Sequence, residues 1–141
     1  MEKSVNKFLK QYQDFVDEVT SDSSKSLDHM IDSIDLMHEQ KLTPSRLLTA
    51  GIGLSGEVGE FNEIIKKILF QGKEIDENTA KHLRKELGDV MWYVAQACIA
   101  LDTDIEEVID INVAKLKDRY PLWDTGGFDA FHSNNRKDGD I

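Results

Sequence analysis

The stretch GLSGEVGEF, residues 53–61, decides how the chain folds. It places Gly53, Gly56 and Gly59 around Glu57 and Glu60, inside what otherwise reads as one long helix. A glycine in a helix interior costs roughly 0.5–1 kcal/mol relative to alanine, so a helix that keeps three of them must gain something by it. The periodicity runs straight through the glycines. Leu47, Gly51, Leu54, Val58, Phe61, Ile65 and Ile68 advance in steps of four and three, a heptad-like seam suited to helix packing. Thr43 as N-cap and Pro44 at the first helical position mark the start, and the pattern predicts an end near Phe70, before Gly72.

The flanking sequence is helical as well, and strand-like alternation is almost absent. A first helix is expected from Val5 to about Val19, with Val5, Phe8, Tyr12, Phe15 and Val19 as its apolar stripe. TSDSSKS breaks it, with Ser24 or Ser26 able to cap a second helix carrying Leu27, Met30, Ile31, Ile34, Met37 and His38 on one side. Asp76 caps a fourth helix reaching about Leu101. Thr103, with Glu106 three residues on, has the form of a capping box for a fifth that ends before Pro121. The expectation is an all-α, oligomeric bundle of about five helices, a single domain over residues 1–123, with an irregular tail over 124–141.

Composition narrows the function classes. A net charge of −10 over 141 residues and a pI near 4.8 argue against a nucleic-acid partner, which calls for basic patches. The N-terminus MEKSVNKFLK has no apolar core, and no run approaches the ~18 apolar residues of a membrane span. One cysteine, Cys98, rules out a disulfide within the chain and fits a reducing cytoplasm. A soluble cytoplasmic protein is expected, with Cys98 as a small buried hydrophobe.

The third and fourth helices share an unusual offset. One residue before the apolar seam of the third runs a second seam: Ala50, Gly53, Glu57, Glu60, Ile64, Lys67. The apolar seam of the fourth is Leu83, Leu87, Val90, Val94, Ala97, Leu101; one residue before it run His82, Glu86, Asp89, Tyr93, Gln96 and Ala100. Each helix thus sets an acidic pair at i, i+3 about 100° from its main seam, at the edge of the core beside a groove. Antiparallel packing would bring four carboxylates together. Such a group repels itself and needs compensation, which a hard divalent cation supplies through oxygen ligands. In a chain with 27 acids, ExxE and ExxD pairs are equally at home on a solvated helix face, and the offset alone leaves both readings open.

The words around these acids carry a resemblance. GLSGEVGEFNEIIKK, RKELGDVMWYVA and NVAKLKDRYP, in that order, with 25 residues between Glu60 and Glu86, resemble the MazG-type all-α nucleoside triphosphate pyrophosphohydrolases. The likeness covers about Leu47 to Pro121, and the segment 21–42 lies outside it. It implies Mg²⁺-dependent hydrolysis, with Mn²⁺ as a substitute, of a (d)NTP between the α- and β-phosphates to a monophosphate and pyrophosphate. By position it implies Glu57, Glu60, Glu86 and Asp89 as metal ligands and catalytic centre. It also implies assembly as a homodimer or homotetramer, for which the glycines would permit close approach of backbones.

Asn112, Lys115 and Arg119 share a face of the fifth helix. The resemblance assigns Lys115 to phosphate and Asn112 to nucleoside or phosphate. Arg119 is either a further contact or a cation favoured by the helix C-terminus. Lys67 either reaches a phosphate or pairs with a carboxylate. Tyr93 either packs on sugar or base or belongs to the core. Trp92 reads as core or subunit interface, Trp123 as a stacking residue from the tail, and His38 as a base contact or an ordinary surface histidine. A di-iron carboxylate bundle would need Glu-x-x-His pairs, and none occur. A non-catalytic oligomerisation or regulatory module explains the composition but not the offset. Within the family, a narrower dUTP- or dCTP-directed pyrophosphatase and, more distantly, a phosphoribosyl-ATP pyrophosphohydrolase are the alternatives.

Overall fold

A computed structural model describes residues 2–135. Every regular element among the described residues is a helix: α1 (Glu2–Val19), α2 (Asp22–Lys25), α3 (Leu27–Glu39), α4 (Pro44–Gln71), α5 (Glu77–Ala100), α6 (Ile105–Arg119) and α7 (Ala130–Asn134). The fold is all-α. The chain separates into two compact units, Met1–Pro44 and Ser45–Ile141.

In the first unit, the TSDSSKS segment that was expected to be a simple break contains the short helix α2. Ser26 caps α3, its side chain accepting from the His29 N–H. Of the two serines considered, this one is in the extended conformation just ahead of the apolar run. Ser23 and Ser33 share a hydroxyl hydrogen bond at 3.0 Å, which ties α2 to α3.

The second unit is built on a helical hairpin. α4 runs through all three glycines of residues 53–61, and the chain turns at Gly72, whose φ of +69° favours glycine. Asp76 then caps α5, accepting from Thr79 N–H at 2.7 Å. Buried Thr79 closes the turn by donating its hydroxyl to Glu74 O at 3.0 Å. The Thr79 N–H, foremost, holds the Asp76 carboxyl below its ordinary 3.8. A carboxyl whose native pKa is depressed contributes stability above its unfolded pKa and loses it as pH falls through the native value. Asp76→Ala is therefore expected to lower Tm by roughly 4–8 °C at pH 7. Thermal melts at a series of pH values should show the gap to wild type closing below pH 3.8.

Two sequence expectations need correction. The cap of α6 is Asp104, whose carboxylate accepts from Glu107 N–H at 2.9 Å. Thr103 instead donates its hydroxyl to the Glu107 carboxylate, so the cap lies one residue later than Thr103; aspartate caps as well as threonine. In the tail, residues 130–134 are helical, with Asp129 capping α7 by accepting from His132 N–H at 3.1 Å. Residues 136–141 of the tail lie outside the described residues.

The acid-bearing seams carry more of the burial than expected. Most of the apolar seams, including Leu54, Phe61, Ile65, Leu83, Val90 and Val94, are half-buried, and Glu60 and Asp89 stay exposed at the edge. Ala50 and Ile64 of α4 and Glu86 and Ala100 of α5, all on the acid-bearing seams, are buried, whereas Val58, Leu87 and Leu101 of the apolar seams stay about half exposed.

Candidate metal centre

Three side-chain meetings fix the hairpin as antiparallel. Arg46 of α4 donates to the Gln96 amide oxygen of α5, Gly53 faces Tyr93, and Glu60, Ile64 and Lys67 share a groove with Glu86 and His82. The order along one helix is the reverse of that along the other. A Cβ built at Gly53 would lie 2.0 Å from Cε1 of Tyr93, so this glycine is there to admit the tyrosine ring. Tyr93 also meets Trp92 edge to face, centroids 4.8 Å apart. Gly51, Gly56, Gly59 and Gly88 meet nothing within 4 Å among the described residues.

With the hairpin in this register, Glu57, Glu60 and Glu86 converge, one oxygen from each lying within 4.8 Å of the others. The three differ in exposure: Glu86 is buried, Glu57 half-buried and Glu60 exposed. Asp89 stands one turn beyond Glu86 on α5; it is outside the closest trio, yet its charge acts on Glu57. The Glu57 carboxyl is raised above its ordinary 4.5 by burial first, then by Glu60, Asp89 and Glu86. All three neighbours push in the same direction because each is a like charge. Among the described residues no hydrogen bond reaches the Glu57 or Glu60 side chains. Glu57 and Glu60 of α4, with Glu86 of α5, are residues that could hold a hard divalent ion.

The sign of the Glu57 effect gives a prediction. A carboxyl with a raised native pKa costs stability as pH rises from 4.5 through its native value, so the cost is absent at pH 4 and present above that window. Glu57→Gln is thus expected to raise the Tm of the metal-free protein at pH 7 and leave it unchanged at pH 4. Added Mg²⁺ should raise the wild-type Tm and not that of the variant. Calorimetric scans with and without chelator check both.

A groove of about 270 Å³ opens beside the acids, lined by Gly56, Gly59, Glu60, Glu63, Ile64, Lys67, His82 and Glu86. Lys67 lines it and also pairs with Glu63 at 3.5 Å. Glu63 takes Lys66 too, and the Lys66 hydrogen bond foremost draws its carboxyl below the ordinary value; that acid is neutralised and stands apart from the trio. α6 packs against α5 and carries Asn112 and Lys115, both exposed, and Arg119, half-buried. Neither Asn112 nor Lys115 is brought against the carboxylates within the described contacts. Tyr93 is half-buried on Gly53. His38 lies on α3, in the other unit. His82, whose Nε2 lies 2.9 Å from Glu86 Oε1, had carried no role in the sequence; its only signal was its place four residues before Glu86 on the acid-bearing seam.

The chain is thus an all-α protein whose antiparallel hairpin gathers Glu57, Glu60 and Glu86 where they could hold a metal ion. The MazG nucleotide pyrophosphohydrolase domain matches residues 46–123, more than half of the chain, and the protein belongs to that family. It is 44% identical over 70 residues to the Gene 37 protein of Mycobacterium phage L5, a match covering 48% of this chain and 60% of the phage protein. The chain thus spans less than two thirds of that relative's length. No solved structure matches it. Among the described residues no helix is long and apolar enough to cross a membrane.

Proposed function

We propose that the chain is a divalent-cation-dependent pyrophosphohydrolase that hydrolyses a nucleoside triphosphate between its α- and β-phosphates. One water is consumed, the bridging P–O bond breaks, and a nucleoside monophosphate and pyrophosphate leave. The convergence of Glu57, Glu60 and Glu86 within 4.8 Å is the observation that carries this. Glu57, Glu60, Glu86 and Asp89 would hold Mg²⁺, or Mn²⁺ in its place. The ion supplies the positive charge that phosphate oxygens and an attacking water require. Lys67, at the groove wall, serves the phosphates. Lys115 and Asn112 serve phosphate and nucleoside from α6, with Arg119 beyond them, and Tyr93 offers its ring to sugar or base. The chemistry is one of positioning and charge stabilisation.

Exposed apolar side chains of the hairpin support a homo-oligomer. Val58, Leu87, Met91, Trp92 and Leu101, all on α4 and α5 or the turn that ends α5, are between 45% and 54% exposed, and apolar area of that extent on a hairpin calls for a second copy. Multi-angle light scattering at micromolar concentration is expected to give a homodimer or homotetramer; a monomer would overturn this. Buried, unpaired Cys98 suits a reducing cytoplasm. The activity is tested by incubating the protein with each (d)NTP. Turnover is expected with Mg²⁺, none with chelator in excess, and recovery when Mg²⁺ is restored; turnover that ignores chelation would refute the reading. The same panel separates a broad activity from one directed at dUTP or dCTP.

A further inference from the structure

We propose that His82 is a positioning residue that fixes the Glu86 carboxylate in the orientation that serves the metal centre. The inference rests on Glu57, Glu60 and Glu86 being a cation site. His82 and Glu86 stand at i, i+4 on α5, and His82 Nε2 lies 2.9 Å from Glu86 Oε1. An ionised carboxylate only accepts, so Nε2 carries the hydrogen and donates.

Pairs at this spacing on a solvated helix surface are common and weak. This one differs because its partners are unequally buried: the His82 side chain is 53% exposed, that of Glu86 8%. Glu86 is also the only charged residue among the described ones that is buried. A buried carboxylate needs partners for its oxygens, and among the described residues His82 alone provides one. Glu57 and Glu60, at the other corners of the trio, have none. The carboxylate most removed from water is therefore the one held in place, and the two on α4 are left to adjust.

His82 also lines the groove beside Glu60, Glu63 and Lys67. Across that groove Lys66 and Lys67 are both engaged by Glu63, so neither replaces His82 as the donor to Glu86. Ligating carboxylates held by an outer hydrogen bond typically lose 10–100-fold in metal affinity when that bond is removed. His82→Gln keeps an N–H donor of similar reach on the helix. His82→Ala removes it, and so does His82→Met, which keeps bulk and helix propensity.

The test is titration of the metal-free full-length chain with Mn²⁺, following the electron paramagnetic resonance signal of free Mn²⁺. No nucleotide is present, so the readout is independent of turnover. Kd is expected to rise about 10–100-fold in His82→Ala and His82→Met and to stay within about threefold of wild type in His82→Gln; the metal-free Ala and Met variants, in which buried Glu86 loses its donor, are expected to melt below wild type and the Gln variant close to it. Wild-type affinity in the Ala and Met variants would overturn the proposal and leave the cation site standing. Equal weakening in all three variants would overturn it as well, because the donor would not be the cause. Failure of the wild type itself to bind Mn²⁺ would remove the cation site and this role together. His82→Met carries the comparison should His82→Ala fold poorly.

Discussion

Glu86→Gln is expected to lower pyrophosphate release by about 10³-fold or more. Glu86 is 6% exposed, and glutamine preserves its volume and its place on α5 while removing the charge and a ligand oxygen. A metal ion at such a site stabilises the transition state by several kcal/mol, and each 1.36 kcal/mol is a factor of ten in rate. The loss should appear in kcat with little change in secondary structure. Glutamine relieves repulsion within the trio, so the metal-free variant should be at least as stable as wild type. Circular dichroism and a thermal melt alongside the assay separate lost chemistry from lost fold. A variant within tenfold of wild type would mean that Glu86 is no ligand.

Gly53→Ala is expected to destabilise the fold by about 2 kcal/mol, while Gly51→Ala, two residues away, stabilises it by about 0.5–1 kcal/mol. Both substitutions relieve the same helix cost. They differ in what the new methyl meets: Tyr93 Cε1 at 2.0 Å in one case, nothing within 4 Å in the other. To admit the methyl, the Tyr93 ring must leave its edge-to-face contact with Trp92, and overpacking of this kind typically costs 1–3 kcal/mol. Chemical denaturation of the two variants gives the signs. A double-mutant cycle gives the cause: in a Tyr93→Ala background, Gly53→Ala should become neutral or stabilising. A destabilisation that persists without the ring would place the obstruction elsewhere.

Much of this was legible in the sequence because helix periodicity is a local property. Pro44, Gly72 and Asp76 bound the hairpin where their backbone preferences put them, and a fixed register follows from a short turn between two long helices. The offset of Glu57 and Glu60 against Glu86 and Asp89 gave the meeting of the acids. What periodicity does not carry is which of two adjacent seams faces the partner helix. The apolar seam was the natural choice by hydrophobicity, yet Ala50, Ile64, Glu86 and Ala100 of the acid-bearing seams are buried while the apolar seams are half-buried or exposed. For the same reason the glycines, alike in sequence, divide in space: Gly53 admits Tyr93, while Gly56 and Gly59 line the groove. The cap of α6 was misplaced by one residue because Thr103 and Asp104 are both good caps. The link from His82 to Glu86 was hidden because an i, i+4 pair means little until one partner is known to be buried.

The most direct test of the account is phosphorus NMR of a single reaction mixture holding the protein, Mg²⁺ and a turned-over nucleoside triphosphate. Cleavage between the α- and β-phosphates predicts matched growth of monophosphate and pyrophosphate resonances, with no diphosphate at any time. Orthophosphate rising together with nucleoside diphosphate would contradict it.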